Sequence, residues 1–192
     1  ILSRFDSILH KSSPRHVLVA KAKKLGLEFL DEKNESLKKR IVLARLAEER
    51  RDGKIIELAN KGIVELRLSV AKEIDASHNQ LREVKIDECF KVDLSFNWIT
   101  SATLTNIVFL NLSHNPLRSF VVPKTVKDLN ISRCQLEVLS FLPGSLLETL
   151  DCSRNSLKTL LLPSRLLELN ARNNNLERIE EIGWRIKKMM LK

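Results

Sequence analysis

Four histidines, three cysteines and a recurrent aspartate or asparagine are the side chains whose types could carry chemistry here. Metal binding or general-base catalysis would require His10, His16, His78 or His114 to meet suitable partners. Only His78 and His114 hold equivalent places in a repeating phrase, with Phe96 at the same place between them. At ordinary strand spacing they stand about 9–10 Å apart, too far to share an ion. Cys152 could act as a nucleophile only beside a base, and no histidine matches it in register. The five glycines are scattered, so no glycine loop cradles a phosphate. These spacings predict no catalytic residue, cofactor or metal in this chain. Any enzyme activity would belong to another domain or to a partner.

The acidic and amide residues have a different logic, because they sit inside a phrase written seven times. Its clearest copies are Leu110-Asn111-Leu112-Ser113-His114-Asn115-Pro116-Leu117 and Leu150-Asp151-Cys152-Ser153-Arg154-Asn155-Ser156-Leu157, both fitting LxLxxNxL. The N position is filled by Lys61, Asn79, Asn97, Asn115, Cys134, Asn155 and Asn174, at intervals of 18, 18, 18, 19, 21 and 19 residues. The two L positions before it hold Ile56/Leu58, Ile74/Ala76, Val92/Leu94, Leu110/Leu112, Leu129/Ile131, Leu150/Cys152 and Leu169/Ala171. Alternation along a strand sends these pairs inward and the residue between them outward. The turn that follows is buried inside a stack, where its backbone groups need partners, and an asparagine amide can both donate and accept. Lys61 is too large and charged for such a column, which predicts an atypical, partly exposed first repeat.

Repeat length constrains the return path. The phrase LxxLxLxxNxL uses 11 residues and leaves seven to ten, too few for a multi-turn helix and its connections. The outer side is therefore expected to be extended, polyproline-like or one 3₁₀ turn, in keeping with Pro123, Pro143 and Pro163.

Over roughly 125 of its 192 residues the chain resembles the leucine-rich-repeat superfamily. Leu142-Pro143-Gly144-Ser145-Leu146 and Leu162-Pro163-Ser164-Arg165-Leu166 are similar to the short repeats of secreted bacterial effectors and of eukaryotic signalling phosphatases. The resemblance implies an α/β solenoid: a curved array of short parallel strands with a mostly extended or 3₁₀ convex side. It also implies a concave strand face that binds partners. The array is assigned to residues 55–182, between a basic helical flank over 1–54 and a basic amphipathic cap over 183–192.

The flanks hold most of the net charge of +9: residues 1–54 carry +6, residues 55–182 carry −1 and the last ten carry +4. Ser13-Pro14 and Gly26 bracket one predicted helix, Asn34 caps a second running to about Arg51, and a shorter one fits 2–10. These helices are expected to cover the first repeat. The basic residues Lys21, Lys23, Lys24, Lys38, Lys39, Arg40, Arg45, Arg50 and Arg51 are the alternative contact for phosphate groups or an acidic protein. Ile182, Ile186, Met189 and Met190 fall at helical spacing and predict a C-terminal helical cap, with a basic membrane-surface or calmodulin-type segment as the rival reading.

No apolar run approaches membrane-span length, and none of residues 1–192 reads as a secretory signal. Ile1 opens the chain, as in a processed chain or part of a longer one. Cys89, Cys134 and Cys152 form no disulfide framework, and two of them hold core slots. An intracellular setting is expected, cytoplasmic or nuclear, or the host cytosol for a secreted effector. The sequons at Asn34, Asn111 and Asn130 carry little weight, because the last two lie on the strand face.

Function is expected on the outward strand positions. Asp75, Asp93, Asn111, Asn130 and Asp151 form one line between the strand leucines, and Phe109 stands in the neighbouring column. Phe96 and Trp98 lie near the turn, and serines at 77, 95, 113, 132 and 153 are expected to keep one side shallow and accessible. Such a channel suits a peptide, helix or loop of basic or polar character. It predicts a protein-interaction module, the recognition or regulatory segment of a larger signalling protein, with Asp75, Asp93, Phe109, Asn111, Asn130, Asp151 and Trp98 as its contacts. The alternative is a ribonucleoprotein or nucleic-acid-associated subunit touching phosphates through Lys38, Lys39, Arg40, Arg50 and Arg51.

Overall fold

The computed structural model describes residues 55–181 and 185–191. The expected N-terminal helices, their basic residues and Ile182 lie outside the described residues. What is described is a parallel β-solenoid of about seven turns. No helix occurs in it, so among the described residues the class is all-β rather than the expected α/β.

One sheet of eight parallel strands runs the length of the coil. Its members are β1 (Ile55–Glu57), β2 (Glu65–Asp75), β3 (Glu83–Asp93), β4 (Ser101–Asn111), β6 (Asp128–Asn130), β8 (Thr149–Asp151), β10 (Glu168–Asn170) and β12 (Lys188–Met190). The return side carries β5 (Ser119–Val122) paired with β7 (Val138–Phe141), and β9 (Thr159–Leu162) paired with β11 (Arg178–Glu181). Coil-to-coil pairing continues past the strand ends, with Leu94 N–H donating to Asn111 O at 2.8 Å and Phe96 N–H to Ser113 O at 3.0 Å.

Strand length follows the prolines. In the 18-residue repeats without one, the return segment and the next inner segment form a single 11-residue strand. Pairing between β2 and β3 lapses opposite Ser69 and Lys72, where the chain corners. In later repeats Pro123, Pro143 and Pro163 remove a backbone donor at that corner, and separate strands flank a turn. Leu142-Pro143-Gly144-Ser145 shows the chemistry: Ser145 N–H donates to Leu142 O at 3.1 Å, with Gly144 at φ 72° after the proline. That is a type II turn, which needs a residue tolerant of positive φ at its third place. The return side is thus extended as expected, and it holds no 3₁₀ turn among the described residues.

Every inward slot named from the repeat is buried or packed against the core, from Leu58 and Ile63 to Leu169 and Ala171. Return-strand alternation adds Leu66/Leu68, Val84/Ile86, Phe120/Val122 and Leu160/Leu162. Cys89, Cys134 and Cys152 are free and buried, and burial pushes their thiols up to about 11, 11 and 12.

The predicted C-terminal helical cap is wrong. Lys188–Met190 is a strand, paired parallel to β10 with Leu169 opposite Met189. Ile186, Met189 and Leu191 reproduce the LxxLxL spacing of Leu166, Leu169 and Ala171 exactly one coil later, at 20 residues. Over so short a stretch Ile186, Met189 and Met190 also satisfy the expected helical stripe. What decides between them is the edge of β10, whose unpaired backbone groups a strand satisfies and a helix would not: Ala171 N–H donates to Met190 O at 2.8 Å.

Candidate interaction surface

The asparagine column stabilises the turns beneath the sheet. Asn97 is buried, its amide NH2 donating to the carbonyls of Ala76, Leu94 and Ser95 and its oxygen accepting from Leu81 N–H at 3.1 Å. Asn79, Asn115, Asn155 and Asn174 repeat the arrangement. Cys134 keeps half of it: its thiol donates to Leu112 O at 3.1 Å, while Leu117 N–H turns to the carbonyl of Cys134. The residue before each column member has positive φ, at Asn60, His78, Phe96, His114, Arg133, Arg154 and Asn173. Lys61 is exposed and gives its backbone N–H to Asn79 Oδ1.

Above the turns lies the open face of the sheet. Strand register lines up Asp75, Asp93, Asn111, Asn130, Asp151 and Asn170 as one column, and Glu73, Lys91, Phe109, Asp128, Thr149 and Glu168 as its neighbour. All of the first column are half-buried. Asp93 Oδ1 accepts from the N–H and hydroxyl of Ser95 at 2.9 and 2.6 Å, and its Oδ2 from the Asn111 amide at 3.1 Å. Asp151 is tied in the same way to Ser153 N–H and the Asn170 amide. Asp75, Asn111 and Asn130 each accept from the serine N–H two places on. These side chains close the strand ends as Asx turns. The serines differ from expectation: Ser77, Ser95, Ser113 and Ser153 are buried under this row instead of forming an accessible shelf.

Aromatic side chains mark two margins of the same face. Phe109, 37% exposed, meets Phe90, 50% exposed, edge to face with ring centroids 5.0 Å apart. Past the other end of the strands, Phe96 is stacked between His78 at 4.4 Å and His114 at 4.0 Å. Phe96 nevertheless remains 44% exposed, and Trp98 beside it is 63% exposed. Left-handed backbone is costly for a bulky side chain, and ring stacking at 78, 96 and 114 offsets part of that cost. Burial, then the charges of Arg133 and His78, hold the His114 imidazole below its ordinary pKa.

Sequence reasoning missed Phe90 and the stack. Phe90 lies one place before the outward column, at a corner the repeat pattern does not locate. The stack was legible in principle, since all three rings share the place before the asparagine.

Among the described residues no group of three or more histidine, cysteine, aspartate or glutamate side chains could hold a metal ion. No helix among them is long and apolar enough to cross a membrane. Lys38, Lys39, Arg40, Arg50 and Arg51 lie outside the described residues. Ion pairing on the face is sparse: Glu168 meets Lys188 at 3.8 Å, while Glu73 and Asp128 take part in none among the described residues. Burial and the charge of Glu168 raise the Asp128 carboxyl above the usual aspartate range. No protein-family model, curated protein or solved structure matches the chain.

Proposed function

We propose that the chain is a leucine-rich-repeat interaction module that receives a protein partner on the open, concave face of its eight-stranded sheet. The support for the family is the repeat phrase itself together with the buried asparagine column that the phrase requires. The observation that carries the function is the half-exposed Phe90–Phe109 pair on a face of polar and charged side chains, where Glu73 and Asp128 take part in no ion pair among the described residues. Exposed aromatic anchors ringed by polar groups are where interface energy concentrates.

On this reading the chain is the recognition or regulatory part of a larger signalling protein. An intracellular setting, including a host cytosol, agrees with three buried, free thiols and no disulfide among the described residues. The test is affinity capture with the full chain and mass spectrometry of what it retains. Phe109→Ala and Trp98→Ala should each reduce retention of the same protein by tenfold or more with an unchanged circular dichroism spectrum. Equal retention by both variants would remove this face from consideration. Retention of nucleic acid that weakens steeply with salt would point to the basic flanks instead.

A further inference from the structure

Resting on that reading, we propose that the sheet face receives an extended, arginine-bearing peptide segment, with one guanidinium seated against Phe109 and paired with Asp128. The two outward columns from β2 to β10 hold six carboxylates and one ammonium, that of Lys91, within a chain whose net charge is +9. The acidic sign is therefore a local property of this face, complementary to a basic partner.

Not all of those carboxylates can meet a ligand. Asp93 and Asp151 have both oxygens engaged within the protein, and Glu168 faces Lys188. Asp128 has neither commitment among the described residues, and register places it directly beside Phe109. On the other side of Phe109 stands Lys91, which repels a cation and biases it toward Asp128. Next along is Thr149, a short side chain that leaves room above the sheet between Asp128 and Glu168.

An aromatic ring next to an unpaired carboxylate distinguishes the two basic side chains. A guanidinium is planar and weakly hydrated, so it can lie on a ring while two of its N–H groups engage one carboxylate. An ammonium is strongly hydrated and offers neither geometry. Phosphate-bearing partners would meet repulsion on the same face.

The experiment uses the full chain and a fluorescein-labelled nonapeptide with three arginines separated by glycine and serine, read by fluorescence anisotropy at low salt. Matched lysine and glutamate peptides complete the set. The arginine peptide should bind about three- to tenfold tighter than the lysine peptide, and the glutamate peptide should not bind. Asp128→Asn should weaken the arginine peptide about tenfold. Phe109→Leu should bring the arginine and lysine affinities together, and Lys91→Met should tighten both about threefold. Melting temperature measured on each variant separates these effects from loss of fold. Equal affinities for the arginine and lysine peptides in the unsubstituted chain, or an Asp128→Asn variant that binds arginine peptide as before, would overturn the proposal. If that happens while Phe109→Ala still loses its captured protein, the arginine seat is wrong and the face remains; loss of both results removes the face as well.

Discussion

At the scale of single residues, the asparagine column shows how much one side chain can satisfy. Truncation of Asn97 strands the buried Leu81 N–H and takes one of two donors from each of the Ala76, Leu94 and Ser95 carbonyls, so Asn97→Ala should cost about 3 kcal/mol, read as a lowered urea midpoint at constant m-value. Cys134→Ala should cost only about 1 kcal/mol, because Leu117 N–H already has backbone acceptors and only a thiol donor is lost. Equal losses would mean that the column does not carry the turns. Asp128 adds a pH signature. Its folded pKa is raised, so the folded protein holds this proton more tightly than the unfolded chain does. The associated stability is present below the ordinary aspartate pKa and is lost as pH rises through the raised one. Asp128→Asn should therefore raise the melting temperature at pH 7 and have little effect at pH 3. The three thiols supply an independent check: buried and held near 11 to 12, they should react with a disulfide reagent at pH 8 only after denaturant is added.

At the scale of elements, β12 and the ring stack carry the consequences. Met190→Pro cannot distort a helix that is not there. It removes a backbone donor from the terminal strand and disturbs the edge of β10. Hydrogen exchange at Ala171, whose N–H donates to Met190 O, should accelerate at least tenfold, while Leu94, just past the end of β3 and several coils away, keeps its protection. Unchanged exchange at Ala171 would argue that β12 does not pair in solution. The stack poses a balance between two terms. Asparagine occupies the Phe96 place in the first and seventh repeats, at Asn60 and Asn173, where it tolerates left-handed backbone. Phe96→Asn relieves strain and loses two ring contacts, each of order 1 kcal/mol, so its net effect on stability should be small.

At the scale of the whole molecule, each coil touches chiefly the coils before and after it, and the core is a continuous thread with no layered centre. A cavity in the middle should therefore spread along the axis. Leu112→Ala, at a fully buried site, should cost about 3 kcal/mol and reduce exchange protection in the neighbouring coils on both sides. Protection lost in its own coil alone would contradict nearest-neighbour coupling. The array also sorts charge by location: basic flanks at 1–54 and 183–192, and an acidic open face between them.

The repeat phrase determined, without coordinates, the inward slots, the asparagine column, the outward columns and an extended return path. It could do so because a strand alternates with period two and a solenoid multiplies that pattern at each coil. Tertiary structure decided what depends on neighbours. Ile186, Met189 and Met190 read as a helix until the open edge of β10 supplied a reason to be a strand. The serines looked accessible until the Asx turns drew them under the row. The aspartates at 93 and 151 looked free until cross-coil amides took their second oxygens, whereas Asp128, beside Phe109, has no such bond among the described residues. Which hydrogen bonds a polar side chain has already made is a property of the packed coil, and a linear pattern does not contain it.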